Sequence, residues 1–351
     1  AVELDLTAQF APDSEMGKKL VTGGGKPALL ETIPDRPYVM AFWADLNNKY
    51  ALDTLQNFAS KPLANAGGAA SEAVVFNANT KGLAAVAYAP RELAFGQSLL
   101  NVVAVVESDQ PKAFIGNLKK YITAADRQSM VYHFPRGKSG VSENIRLSTQ
   151  YGSNALSLNN ISIDQFKVNY DIPPAVIDAI GAAGPIFMLV AGSSQSGYVG
   201  SVGKHTVITS RTDSQLVNDT FATAANTSGI GTSRSLQSIA NRLPERSVMQ
   251  WYVSTAGVVQ MYNTMSTVHQ LPPLPVPLTA EPVAVGIGAN ASGLNTRLVL
   301  PISVLRYAQE TASSMIQANQ AEQQPMAQQD QGPQRPARPQ TGQSPASQGG
   351  N

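Results

Sequence analysis

Cysteine is absent from this 351-residue chain. That excludes disulfides, thiolate zinc centres, iron–sulfur clusters and cysteine nucleophiles. Charge is scarce too: Asp, Glu, Lys and Arg make up 14% of the residues, against roughly 25% in a typical soluble protein. The 25 basic and 24 acidic residues nearly cancel. The basic footprint that counterion release requires is missing, so nucleic acid is not an expected partner. Long apolar runs are lacking as well. The most apolar stretch, Ala179 to Gly192, is too short to span a bilayer and is broken by glycines and Pro185, so no transmembrane segment is expected.

What is present is an apolar fraction of 43%, enough for a sizeable core. Ala, Ser, Asn, Gln and Gly stand where charge would otherwise be. A surface of this kind repels its neighbours weakly, which suits a protein that packs against copies of itself or works outside the cytoplasm. The chain begins at Ala1 rather than methionine, as a mature chain does once a signal peptide has been removed. Export is the expectation, to the periplasm, the outer surface or the exterior.

The chain reads as five segments. Residues 1–32 form an extended N-terminal arm with a turn at Gly23 to Gly25. Residues 33–96 are the first copy of a repeat, 97–242 a middle α+β region, 243–317 the second copy, and 318–351 a Gln/Pro-rich tail. That tail carries too little apolar surface to offset its ordering entropy, and is expected to be disordered unless a neighbour holds it.

The repeat is carried by two ordered blocks. Ile33-Pro34-Asp35-Arg36 precedes the apolar run Tyr38 to Trp43, and Leu243-Pro244-Glu245-Arg246 precedes Val248 to Val253. Downstream, Gly82-Leu83 matches Gly293-Leu294 and Pro90 matches Pro301. Each copy is expected to run strand, helix, then two strands joined by a turn, at Asn79 to Gly82 or Asn290 to Gly293. The first helix is expected after Asp45, with Leu52, Leu55 and Phe58 inward. The second is expected after Ser254, with Val258, Val259, Tyr262 and Met265 on its apolar face.

The middle region uses the same units. Val102 to Val106 leads to Asp109 as N-cap, Pro111 in the first turn, and an apolar face of Phe114, Ile115, Leu118, Tyr121 and Ile122. Thr206 to Thr209 leads to a capping pattern at Thr212 to Gln215 and to Leu216, Val217 and Phe221. Short strands between Arg146 and Val168 are expected to form a meander. Leu271 to Pro277 reads as a stiff connector. Strands outnumber crossover-length helices, so the expected fold class is α+β with a mostly antiparallel sheet.

Motifs for chemistry fall short. Gly200 to His205 contains Gly-Lys, but Tyr198 stands where a phosphate loop needs its first glycine, and His205 replaces the Mg²⁺-binding hydroxyl. Gly137-Lys138-Ser139 fails in the same way at Tyr132. Gly286-Ile287-Gly288 follows a β-type run, but a second strand follows it where a dinucleotide site needs a helix. His133, His205 and His269 lie at no metal-ligand spacing. Gly192 to Gly197 reads as a polar loop, and no GxSxG occurs. Asp35 and Glu245, with Arg36 and Arg246, could meet if the two copies pack about a two-fold axis, and read first as strand-entry salt bridges. Trp43, Trp251, Phe42 and Tyr252 sit in corresponding strands and read as core. No catalytic, cofactor-binding or metal-binding residue is assigned, and no cofactor is expected.

The Ile-Pro-Asp-Arg and Leu-Pro-Glu-Arg openings and the strand-to-helix units at Val103 to Ile122 and Val207 to Ala224 resemble a loose group of uncharacterised exported bacterial proteins. The resemblance spans about residues 33–305. It implies export and a non-enzymatic role. The expected function is therefore a structural or assembly component of the bacterial cell envelope or exterior, whose partners are copies of itself or other envelope proteins. The alternative is a periplasmic ligand-binding module with a cleft between the duplicated lobes.

Overall fold

The β-type runs assemble into one sheet in which every described pairing is antiparallel. The computed structural model describes residues 1–20, 24–64, 75–88, 100–134, 141–180, 192–210, 213–269, 271–290 and 293–323. Among these, the strands are β1 (Val2–Gln9), β2 (Tyr38–Asp45), β3 (Thr80–Tyr88), β4 (Asn101–Ser108), β5 (Ser129–Phe134) and β6 (Val141–Leu158). They continue with β7 (Ile161–Asp171), β8 (Ser194–Val202), β9 (His205–Thr209), β10 (Ser247–Val253), β11 (Val283–Asn290) and β12 (Gly293–Leu300). Their order across the sheet is β1-β12-β11-β10-β2-β3-β4-β9-β8-β7-β6-β5. The helices are α1 (Glu15–Leu20), α2 (Lys49–Ala64), α3 (Pro111–Ala124), α4 (Pro174–Ile180), α5 (Ser214–Asn226), α6 (Arg234–Ala240), α7 (Thr255–His269) and α8 (Ile302–Gln323). The fold is α+β with an antiparallel sheet, the class that the excess of strands leads one to expect. Residues 1–307 form one compact unit, and the part of α8 from Ala308 onward falls outside it.

Strand–helix–strand–strand units occur twice. β2 and β10 are neighbours at the middle of the sheet, and their register sets Phe42 opposite Trp251. The two strands correspond in the two sequence copies and run antiparallel as neighbours, so a local pseudo-two-fold axis passes between them. On one side β2, α2, β3, β4 and α3 follow in order; on the other come β10, α7, β11, β12 and α8. Pro111 opens α3, and Pro301 immediately precedes α8.

This arrangement corrects the residue matches made downstream of the openings. Pairing Gly82-Leu83 with Gly293-Leu294 equates β3 with β12. In the sheet, β3 lies beside β2 as β11 lies beside β10, so β3 and β11 are the equivalent strands. Among the described residues the hairpin expected at Asn79 to Gly82 is also not formed: Val75 and Phe76 form a bend, and β3 begins at Thr80, while residues 65–74 lie outside the described residues. The second-copy hairpin stands where expected, with Asn290 paired to Gly293.

The starts of α2, α5 and α7 carry side-chain caps. Asn48, not Asp45, caps α2, its Oδ1 accepting from the Tyr50 and Ala51 amides at 3.0 and 3.2 Å. Ser254 caps α7 through the Gly257 amide at 3.2 Å. Asp213 caps α5 through the Leu216 amide at 2.5 Å. The N-cap of α3 is Gln110 rather than Asp109, with Pro111 in the first turn as expected. Asp109 instead pairs with Lys81 at 3.2 Å. Phe58 faces solvent at 76% exposure, which removes it from the expected inward face of α2. The expected short meander is a long hairpin, β6 with β7, closed at Asn159-Asn160 with φ of 50° and 65°. Two consecutive left-handed residues suit the right-handed twist of the strands they join.

The main core lies on one face of the sheet. Ala41, Trp43, Ala84, Val86, Val103, Val105, Val207, Tyr252, Ala284 and Val299 alternate onto that face. Leu216, Val217 and Phe221 of α5, Leu236 and Ile239 of α6, and Leu29, Leu30 and Ile33 join them. The opposite face carries Phe42, Met249, Trp251, Leu83 and Ile287, packed with Leu52 and Leu55 of α2 and Leu20 of α1. The Leu271 to Pro277 connector is pinned as it passes: Asn263 bonds both the amide and the carbonyl of Leu274, at 2.7 and 2.8 Å.

Candidate interaction surface

The N-terminal arm is not free. Residues Val2 to Gln9 form β1, which pairs along its whole length with β12. Alternation places Glu3, Asp5 and Thr7 on the main-core face and Val2, Leu4 and Leu6 on the other. Arg297, directly opposite Asp5, donates to both its carboxylate oxygens at 2.7 and 2.9 Å. Arg242 donates to Glu3 at 3.1 Å. The Arg297 guanidinium, through these hydrogen bonds, holds the Asp5 carboxyl below the usual carboxylate range.

Two consequences follow for the outer side of this strand. Among the described residues no strand pairs beyond β1, so its outer main-chain groups form an open edge. Exposed edges are normally guarded by free charges, proline or bulges. Here both acids are drawn back onto the chain's own arginines, and no proline interrupts β1. The second consequence is apolar: Val2, Leu4 and Leu6 are 54%, 52% and 63% exposed.

The start of α8 adds to the apolar exposure. It follows β12 directly, and Ile302 and Leu305 are both exposed. Further along the same helix Met315 and Ile316 are exposed as well. Tyr307 holds the beginning of the helix by donating to the Pro275 carbonyl at 2.8 Å. Residues 324–351 of the expected tail lie outside the described residues.

The sequence motifs go elsewhere. Gly203-Lys204 is the two-residue turn between β8 and β9, with Gly203 at φ 58° and Val202 paired to His205. Gly286 and Gly288 lie on β11, where a Cβ would come within 3.0 Å of Leu243 and 2.8 Å of Pro244, respectively. Those glycines let the Leu-Pro segment rest on the sheet. Ser194 to Gly197 is strand β8, correcting the loop expected there. Gly137 to Ser139 lies outside the described residues. Arg36 pairs with Asp219 of α5. Among the described residues no hydrogen bond or ion pair links the Asp35 and Glu245 segments, and Arg246 offers its backbone carbonyl to Ala289 at 3.1 Å. Trp43 and Tyr252 are buried in the main core, while Phe42 and Trp251 pack against each other on the opposite face, their rings tilted at 41° with centroids 5.1 Å apart. Among the described residues no group of His, Asp and Glu could hold a metal ion, and no helix is long and apolar enough to cross a membrane.

No family model matches the chain. No curated protein matches it. A solved structure, crystal form I of TP0453, is similar over 80% of this chain and 84% of its own, at 10% identity and a TM-score of 0.32.

Proposed function

We propose that this protein is a non-enzymatic structural or assembly component of the bacterial cell envelope or exterior, which associates with copies of itself through its terminal elements. One observation carries the reading. Of thirteen exposed large apolar side chains among the described residues, three lie on β1 and four on α8, so the two terminal elements hold the majority. Scattered exposed apolar residues are normal on a monomer, whereas concentration on particular elements marks an interaction surface. The unguarded edge of β1 adds main-chain donors and acceptors that a second strand would satisfy. The low charge of the chain and its lack of cysteine support an exported protein that packs closely with its own kind.

The test is particle mass by light scattering over a range of concentrations. The full chain is expected to associate, and Leu4→Lys with Leu6→Lys is expected to return it to monomer. A chain ending at Gln317 is expected to associate less. A full chain that stays monomeric at every concentration overturns the assembly reading. Recovery from the cytosol of its native cell overturns the exported address.

A further inference from the structure

A cleft of about 710 Å³ opens on the main-core side of β10. Its lining comes from the arm (Gly25 to Ala28, and Glu31), from α6 with the turn before it, from Leu243 to Glu245, and from Gln250. None of these residues falls in the first copy, so this is not a space between duplicated lobes. Leu236, Leu243 and Gly231 are buried in its wall, while Lys26, Glu245 and Asn241 stand exposed at its rim.

The walls are held by backbone. Gly24 has φ 100°, and its amide donates to Asp45 Oδ2 at 2.7 Å. Gly25 donates to the Ser247 carbonyl at 3.1 Å. On the far wall, Gly229 and Ile230 donate to the carbonyls of Glu31 and Ile33 at 2.6 and 2.8 Å. A Cβ on Gly231 would lie 2.7 Å from the Glu31 amide nitrogen, so the two walls meet as closely as glycine permits.

Gln250 decides what the cleft can do. It is 3% exposed and lies in the middle of the sheet. The Tyr252 hydroxyl donates to its Oε1 at 2.5 Å, which orients the amide. Its NH2 group has no hydrogen-bond partner among the described residues, and Gln250 lines the cleft. Its nitrogen is not among the buried side-chain atoms left without a partner, so the NH2 group reaches the open cleft, where a ligand oxygen can accept from it. The rim supplies complementary charge. No ion pair engages Lys26, Glu31 or Glu245 among the described residues.

We propose that this cleft is a binding site for a small zwitterionic ligand of the amino-acid or short-peptide class. A carbonyl or carboxylate oxygen accepts from the Gln250 amide at the floor. The ammonium lies against Glu31 and Glu245, Lys26 offsets the terminal carboxylate, and an apolar side group rests on Leu236, Leu243 and Pro27. Pockets of this size bury most of a small organic ligand, with a few polar groups fixing its orientation. No described residue of β1 or α8 lines the cleft, so the inference stands whether or not the chain associates.

The probes are tri-alanine, N-acetyl-tri-alanine and tri-alanine amide, titrated into the full chain by calorimetry and followed by amide chemical shifts. Tri-alanine is expected to saturate one site at up to millimolar concentration, with shifts centred on the cleft. Removing its ammonium or its carboxylate is expected to weaken binding roughly tenfold, the value of one charge-assisted contact. Glu245→Gln and Lys26→Ala lie on the exposed rim, leave the fold intact, and are expected to weaken binding by a similar factor. Gln250→Leu is expected to abolish it. Absence of saturable binding overturns the proposal. So does binding that all three variants leave unchanged, or that N-acetyl-tri-alanine and tri-alanine amide match. If Gln250→Leu fails to fold, the two rim variants still decide.

Discussion

Gly197 shows how little room some positions leave. A Cβ there would sit 1.6 Å from the Thr209 carbonyl oxygen, at the place where β8 closes on β9. Gly197→Ala must move backbone, and is expected to cost about 3 kcal/mol or more, read as a fall in the denaturation midpoint. The Gln250–Tyr252 pair poses a different problem. Burial pushes the Tyr252 hydroxyl above its ordinary value, and nearby Tyr38 adds to the shift, so it remains a protonated donor. Tyr252→Phe leaves Gln250 Oε1 buried without its donor, and is expected to lower stability by about 1–2 kcal/mol in equilibrium unfolding. Gln250 could not have been singled out from the sequence: a glutamine in a β-type run reads as a solvent-facing position. Only its neighbours make it a buried donor.

Among the elements, β1 is bound lightly and α5 firmly. All residues of β1 are exposed, so its hold depends on the β12 ladder and on the two arginine pairs. Asp5 is held below its unfolded value by Arg297, so its contribution is full above the unfolded carboxylate range and is lost as pH falls through the folded value. Hydrogen exchange at the β1 amides is therefore expected to quicken in acid before the rest of the sheet responds, and Asp5→Asn is expected to quicken it at neutral pH. In α5, Phe221 is 2% exposed and packs so closely on Gly200 that a Cβ there would lie 2.9 Å from its ring. Phe221→Ala is expected to cost ~3–5 kcal/mol in chemical denaturation. Both elements carried sequence signals. The helical spacing of α5 was plain, although the capping pattern begins at Thr212 and the cap is Asp213, and β1 read as an extended arm. The arm's pairing with β12 was not visible, because β12 lies almost three hundred residues away in the chain.

Across residues 1–307 the two copies share one core. Trp43 and Ala41 of β2 lie in the same cluster as Tyr252, Ala284 and Val299 of the second copy. β10 takes one of its two ladders from β2. A chain cut to residues 243–317 would lose that ladder and that cluster, and is expected to be unfolded by circular dichroism and proton chemical-shift dispersion. Residues 1–307 are expected to unfold in a single cooperative transition, since no boundary divides the cluster.

Local chemistry was enough to read most strands, the helices α2, α3, α5 and α7, the Ser254 cap, the β11–β12 hairpin and the α+β class. Each of these depends on side chains within a few residues of one another, which period and capping record directly. Strands between Arg146 and Val168 were legible, but their lengths were not, since pairing rather than propensity sets where a long hairpin ends. The adjacency of β2 and β10, the equivalence of β3 with β11, the open edge at β1 and the cleft over Gln250 came only with the tertiary structure. Each rests on contacts between segments far apart in the chain, and the same alternating residues would serve several registers. What selects among them is the total apolar surface buried across the whole sheet, a quantity that no single stretch of sequence contains.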